Sequence, residues 1–220
     1  VMRDPSGWIY AKEDAGKMLV GCFEPKSKPR PLDTIPEDFS FGQFSEDWDH
    51  FEPAMLNAIH RIPNLEDAGI QTFFNGPESF TPDDRYILGK APELKNFYVA
   101  AGLNSIGIQS AGGAGKVLSE WIVNGYPPMD LWDVDIRRFH SFHGNSRYLK
   151  ERTEEALGLL YAMHWPFRQP ETSRGVRKSV LHDRLENAGA CFGEMCGWER
   201  ANWFASEGME VRYEYSYSRQ

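Results

Sequence analysis

The chain has 220 residues and 41% apolar composition, enough for one large domain or for one domain and part of another. Its net charge is −8, from 32 acidic against 24 basic residues, and no basic run stands out, which argues against a nucleic-acid surface. No apolar stretch approaches the ~20 residues of a membrane span and no signal peptide opens the chain. Cys22, Cys191 and Cys196 form no CxxC pair, so buried thiols in a reducing compartment, cytoplasm or mitochondrial matrix, are expected.

In chain order, Trp8–Lys12 and Lys17–Cys22 read as strands around the turn EDAG, hence a hairpin. A Pro/Lys-rich surface loop follows. SEDWDHFEPAMLNAIHRIP reads as a helix capped by Ser45, with Trp48, Phe51, Met55 and Ile59 at helical spacing, a kink or restart at Pro53 and an end at Pro63. GIQTFFNG reads as a strand. Thr81-Pro82-Asp83-Asp84 carries turn chemistry before a short apolar run, Tyr86–Leu88. NFYVAAG is apolar nearly throughout, as a strand buried on both faces would be. From Ala111 to Asn124 the pattern turns helical, with Gly125 placed to terminate it. A second long helix is expected in NSRYLKERTEEALGLLYAMHW. A loop-rich stretch, a short helix in SVLHDRLENAG and the aromatic segment CFGEMCGWERANWF close the chain. Val1 is not an initiator methionine and VRYEYSYSRQ stops on a strand-like alternation, so both ends read as cuts through a longer protein.

The stretch Asn96–Trp121 holds Gly102, Gly107, Gly112, Gly113 and Gly115 between a strand and a helix. A P-loop needs Ser or Thr after Gly115-Lys116 and a glycine five residues before Gly115, but Val117 and Ser110 stand there. A Rossmann fingerprint on Gly113 and Gly115 would need glycine where Leu118 stands. What survives is a strand delivering free N–H groups and a helix dipole to a flat, partly anionic ligand. The competing reading is tight packing of helix on sheet.

Other polar residues read structurally. Asp83 and Asp84 belong to a turn rather than a catalytic acid pair. His140 and His143 lie beside Arg137 and Arg138 and read as surface residues. His50, His60, His164 and His182 stand apart, so no metal site is expected. Glu199 reads as an ion pair with the adjacent Arg200, and Trp198, Trp203 and Phe204 as core against a following domain.

Three separated stretches agree on one family. Residues 75–139, from NGPESFTPDD to DVDIRRF, resemble the end of the flavoprotein domain of the sarcosine and dimethylglycine dehydrogenases. VMRDPSGWIYAKEDAGKMLVGCFEP resembles the preceding substrate-domain hairpin. LHDRLENAGACFGEMCGWERANWF resembles the bridge into their folate-binding domain. EDWDHFEP resembles a noncatalytic branch, the regulatory subunit of pyruvate dehydrogenase phosphatase, so a regulatory protein of the same ancestry stays open as the second reading. A binding module unrelated to flavin is the third.

The resemblance implies an α+β fold: part of a substrate-binding antiparallel sheet and the FAD-proximal strand and helix over residues 1–140, then a loop-rich helical central domain over 141–220. It implies an FAD-dependent enzyme that oxidises a small N-methylated amino acid, passing a hydride equivalent to flavin and leaving an iminium. The one-carbon unit then goes to tetrahydrofolate on a domain outside this chain, or leaves as formaldehyde. Cofactor contact falls to Asn104, Ser105, Ile106, Gly107, Ile108 and Gln109, whose backbone would meet the flavin edge that gains charge. Tyr10 is the candidate catalytic residue, against the reading of an ordinary strand aromatic. Arg3 would suit a substrate carboxylate but reads as a surface residue. With the dinucleotide-binding segment outside the chain, weak or absent FAD binding by these residues alone is implied.

Overall fold

The computed structural model describes residues 1–162 and 168–213. It is a small α+β arrangement of short antiparallel sheets and helices. Strands β1 (Met2–Asp4), β2 (Ile9–Asp14) and β3 (Lys17–Cys22) form one sheet in that order. Asp14 pairs with Lys17 across a two-residue turn, and both Ala15 (φ 53°) and Gly16 (φ 78°) are left-handed, as a tight hairpin with right-handed strand twist requires.

Helix α1 (Trp48–Arg61) lies against this sheet and buries Ala54 and Ala58 against Ile9, with Met2, Val20, Cys22, Phe51 and Met55 around them. The expected cap is corrected. Asp47, not Ser45, caps α1 by accepting from the His50 N–H (3.2 Å). The helix also runs unbroken through Pro53, which removes one intrahelical bond, the one Asp49 would accept, while the rest of the ladder continues. GIQTFFNG is not a strand. It pairs with no strand among the described residues: Phe73 packs on Trp48 (4.4 Å) and Phe51 (5.5 Å) of α1, and the Asn75 carbonyl accepts from the Phe44 N–H in a loop (2.7 Å). Apolar alternation satisfies a strand only where a neighbour offers backbone partners.

Strands β4 (Ile87–Lys90) and β5 (Tyr98–Ala101) form a second antiparallel pair. Residues 134–135 extend it, with the Leu88 N–H donating to the Val134 carbonyl (2.8 Å). β5 is half-buried to exposed rather than enclosed, since among the described residues it pairs only with β4. Helix α2 (Gly107–Asn124) begins four residues earlier than its apolar periodicity suggests and ends on left-handed Gly125 (φ 80°).

Helix α3 (Ser146–Tyr161), capped by Asn145, leads to α4 (His182–Asn187) and to the hairpin of β6 (Ala190–Met195) and β7 (Trp198–Phe204). Arg152 on α3 is 2% exposed and binds Glu194 of β6 and the Thr172 carbonyl (2.9 Å). Glu199 does not pair with Arg200. Successive strand residues face opposite sides, so Glu199 turns inward to accept from Arg174 Nε (2.9 Å) and the Gly175 N–H (2.6 Å) while Arg200 is exposed. All three cysteines are free, and burial pushes the Cys22 thiol up to about 12, which keeps it protonated. His164 and the end of the strand-like VRYEYSYSRQ lie outside the described residues.

Candidate cofactor-facing site

The site begins at a loop with unusual backbone. Gly102 (φ 60°), Asn104 (φ 46°) and Ser105 (φ 61°) are all left-handed, and two of them are not glycine. Such a conformation costs free energy and needs outside support. Thr81 supplies it. Asn104 is 1% exposed, and its Oδ1 accepts from the Thr81 N–H (2.7 Å) while its Nδ2 donates to Thr81 Oγ1 (3.1 Å). The Asn104 N–H donates to the Ser79 carbonyl (3.1 Å). Thr81 also lies against Gly102, where any Cβ would meet its methyl at 2.6 Å. The Asn104 side chain is thus engaged within the chain, and its effect on a ligand runs through the shape of the loop.

This loop presents the start of α2. Ile106 gives no side-chain cap, no acid stands in the first turn, and the first helical bond of the series is Ser110 N–H to the Ile106 carbonyl (3.0 Å). The N–H groups of Gly107, Ile108 and Gln109 therefore sit at a positive helix end with no capping side chain among the described residues. Ile108 is 100% exposed, and added Cβ atoms at Gly112, Gly113 and Gly115 would meet nothing within 4 Å. Such donors beside a bare flank suit the partly anionic edge of a planar group.

Tyr10 sits on β2, half-buried, opposite Gly21 of β3. Its ring tilts against Phe23 (5.1 Å between centroids), which stacks on Tyr161 (3.7 Å). Burial, with the nearby Cys22 and Glu78, raises its phenol pKa above the usual value. Glu78, whose charge contributes to that rise, adjoins Ser79, whose carbonyl accepts from the Asn104 N–H. A separate cleft of about 380 Å³ between the first sheet and α3 is lined by Arg3, Phe23 and Tyr161, but by neither Tyr10 nor residues 104–109. Arg3 is exposed there, donates to the Tyr161 carbonyl (3.3 Å) and lies over the Phe23 ring.

Sequence reasoning missed Thr81, Arg138 and Gly21. Only Gly21 left a local signal, a glycine inside a strand pattern. Asp83 does more than shape a turn: Arg138 donates to both its oxygens (2.6 and 3.1 Å). His143 is buried, not on the surface, because it packs on Phe142 (3.9 Å) and Tyr148 and its Nδ1 accepts from the His140 N–H (2.9 Å). Burial lowers its pKa. His182 does not stand apart either: it offers a ligand atom within 4.8 Å of those of Asp183 and Glu186, two acids exposed on α4.

Asp84 is half-buried, its Oδ1 enclosed and without a hydrogen-bond partner among the described residues, and burial, with the charges of Asp83 and Glu155, raises its pKa to about 8. The folded chain then holds a proton that the unfolded chain releases near pH ~4. The stability this proton confers is complete below that pH and is lost as pH rises through about 8. Asp84→Asn is expected to unfold like the parent near pH ~4 and to be more stable by about 1–3 kcal/mol at pH ~8. Urea unfolding at the two pH values measures this; equal gains at both would show that the carboxyl is not the titrating group.

Residues 1–121 match the family described as FAD dependent oxidoreductase, and residues 124–179 match the FAD dependent oxidoreductase central domain. The chain is 49% identical over 219 residues to 4-methylaminobutanoate oxidase (formaldehyde-forming) of Paenarthrobacter nicotinovorans, covering 100% of this chain and 26% of that protein. It is 37% identical over 217 residues to mitochondrial sarcosine dehydrogenase of Homo sapiens, covering 98% and 23%. It is 39% identical over 209 residues to the mitochondrial pyruvate dehydrogenase phosphatase regulatory subunit of Mus musculus, covering 94% and 24%. The chain spans about a quarter of the length of these curated relatives. With more than half of its residues matched by one family, the chain belongs to the FAD dependent oxidoreductases.

Proposed function

We propose that these residues form part of a flavin-dependent enzyme that oxidises the N-methyl group of a small amino acid, sarcosine and dimethylglycine being the first candidates. The observation that carries the reading is the uncapped start of α2, held open by the Thr81–Asn104 clamp in a chain of an FAD-dependent family. Residues 1–140 would supply part of the substrate sheet and the cofactor-facing strand and helix. Residues 141–220 would bridge toward the rest of the polypeptide, where a folate domain would take the one-carbon unit. The relative named a formaldehyde-forming 4-methylaminobutanoate oxidase adds a longer N-methylated acid to the candidates. Two of the relatives are named as mitochondrial, which favours the mitochondrial matrix over the cytoplasm.

FAD, when bound, supplies the hydride-accepting ring. The residues of this chain bind and orient. The N–H groups of Gly107, Ile108 and Gln109 would donate to the ring edge on which negative charge grows, and the helix dipole adds to them. Ser105 and Ile106 set the approach of that backbone, and Asn104 holds the loop. Because its pKa is raised, the Tyr10 phenol stays protonated at neutral pH and would act as a donor toward a substrate carboxylate rather than as a base.

Tyr10→Phe in the flavin-loaded full-length protein is expected to slow anaerobic flavin reduction about 10–100-fold, with flavin content unchanged. Sarcosine, dimethylglycine and 4-methylaminobutanoate would be compared in stopped flow. Wild-type speed in the variant would remove Tyr10 from the site. The similarity to the phosphatase regulatory subunit favours a second reading, a noncatalytic regulator. Flavin that none of the three substrates reduces in the parent protein would decide for it.

A further inference from the structure

We propose that Gly21 is a positioning residue: its missing side chain makes the slot in which the Tyr10 phenol lies. This rests on the reading of Tyr10 as a substrate-facing donor. Gly21 sits inside β3, directly opposite Tyr10 of β2, so the two share one face of the sheet. Glycine weakens a strand interior by roughly 0.5–1 kcal/mol, so its presence calls for a reason. The reason is on that face. A Cβ built at Gly21 would come within 2.7 Å of Tyr10 Cε1, and closer still to Cζ and Oη. The atoms it meets are the far end of the tyrosine, not backbone. The sheet therefore tolerates a methyl at position 21, and the phenol gives way. Phe23 stands two residues along the same face and flanks the ring (5.1 Å between centroids), while Gly21 leaves the slot open beneath it. Together they fix where the hydroxyl points. Gly21 acts through Tyr10 and not by touching substrate.

The test uses the flavin-loaded full-length protein with 3-fluorotyrosine at position 10. Gly21→Ala is expected to shift the fluorine resonance well beyond the effect of Gly69→Ala, a control whose added methyl meets nothing within 4 Å. It is also expected to slow flavin reduction by up to about 10²-fold, the scale of an ångström-sized misplacement. In the Tyr10→Phe background the same substitution is expected to change the rate by less than about twofold, since two residues acting as one unit are not additive. An unmoved resonance overturns the inference, and so does an equal slowing in both backgrounds, which would place the effect in the fold. A moved resonance with Tyr10→Phe at wild-type speed upholds the hold of Gly21 on the ring and sinks the substrate-facing role of Tyr10 instead. If Gly21→Ala alone loses flavin or stability, Tyr10→Ala/Gly21→Ala is expected to recover both, because the ring that collides is gone. Failure to recover overturns the inference as well.

Discussion

Arg138→Ala is expected to lower stability by about 2–3 kcal/mol, the cost of leaving a half-buried carboxylate and several carbonyls without their donor. The Arg138 side chain is 4% exposed. It grips both oxygens of Asp83, donates to the carbonyls of Val134 (2.9 Å), Asp135 (3.2 Å) and Arg85, and lies over the Phe139 ring (4.1 Å). Removing it strands a carboxylate and three carbonyls at once. Lysine would not replace it, since one ammonium cannot span a forked carboxylate and three carbonyls together. The loss should also reach the site: Arg138 fixes the turn at residues 81–85, and Thr81 at its start clamps Asn104. Denaturant unfolding measures the stability and flavin absorbance of the full-length variant measures the site. A loss below about 1 kcal/mol would show that solvent satisfies Asp83 as well as arginine does.

Gly158→Ala is expected to destabilise by about 3 kcal/mol. The sign makes the test sharp. In an exposed helix interior the same change stabilises by about 1 kcal/mol, so a loss points to packing alone. The segment after β3 runs across α3: the Ser27 N–H donates to the Glu154 carbonyl (2.8 Å) and Ser27 Oγ to the Thr153 carbonyl (2.8 Å). A Cβ at Gly158 would meet Pro25 C at 2.7 Å and its Cα at 2.9 Å, with the carbonyl oxygen closer still. These are backbone atoms and cannot swing aside, unlike the Tyr10 ring over Gly21. The sheet-bearing part and α3 would have to separate, carrying the Arg3 contact to Tyr161 with them. Thermal unfolding checks this, and an unchanged or raised Tm would mean that the strap at 25–27 is not held against α3.

The contrast between these two glycines explains much of what the sequence revealed and what it hid. Both stand in regular patterns, one in a strand and one in a helix. Nothing local distinguishes them, because the atoms that need the space lie 11 residues away in one case and 133 in the other. The same holds for Glu199, whose partner is Arg174 and not its neighbour Arg200, and for His143, which two arginines nearby in sequence made look exposed. GIQTFFNG has a strand's composition but found α1 aromatics instead of a second strand.

By itself the sequence determined what short-range physics controls. The Asp14–Lys17 turn, the end of α2 at Gly125 and the run of α3 rest on positive-φ preferences, capping and side-chain periodicity, all set within a few residues. Spacing also excluded the P-loop and the Rossmann fingerprint, and the collinear motifs pointed to the flavin-dependent family. Only the tertiary structure decided where α2 begins, what holds its open end and how the Tyr10 phenol is seated. Each of these depends on atoms brought together across long stretches of chain: Thr81 with Asn104, Arg138 with Asp83, Tyr10 with Gly21. A left-handed Asn104 is locally unfavourable, so no local preference announces it, and Gly21 shows only as a glycine within a strand pattern, with no sign of what needs the space. The favourable term is the contact that the fold supplies.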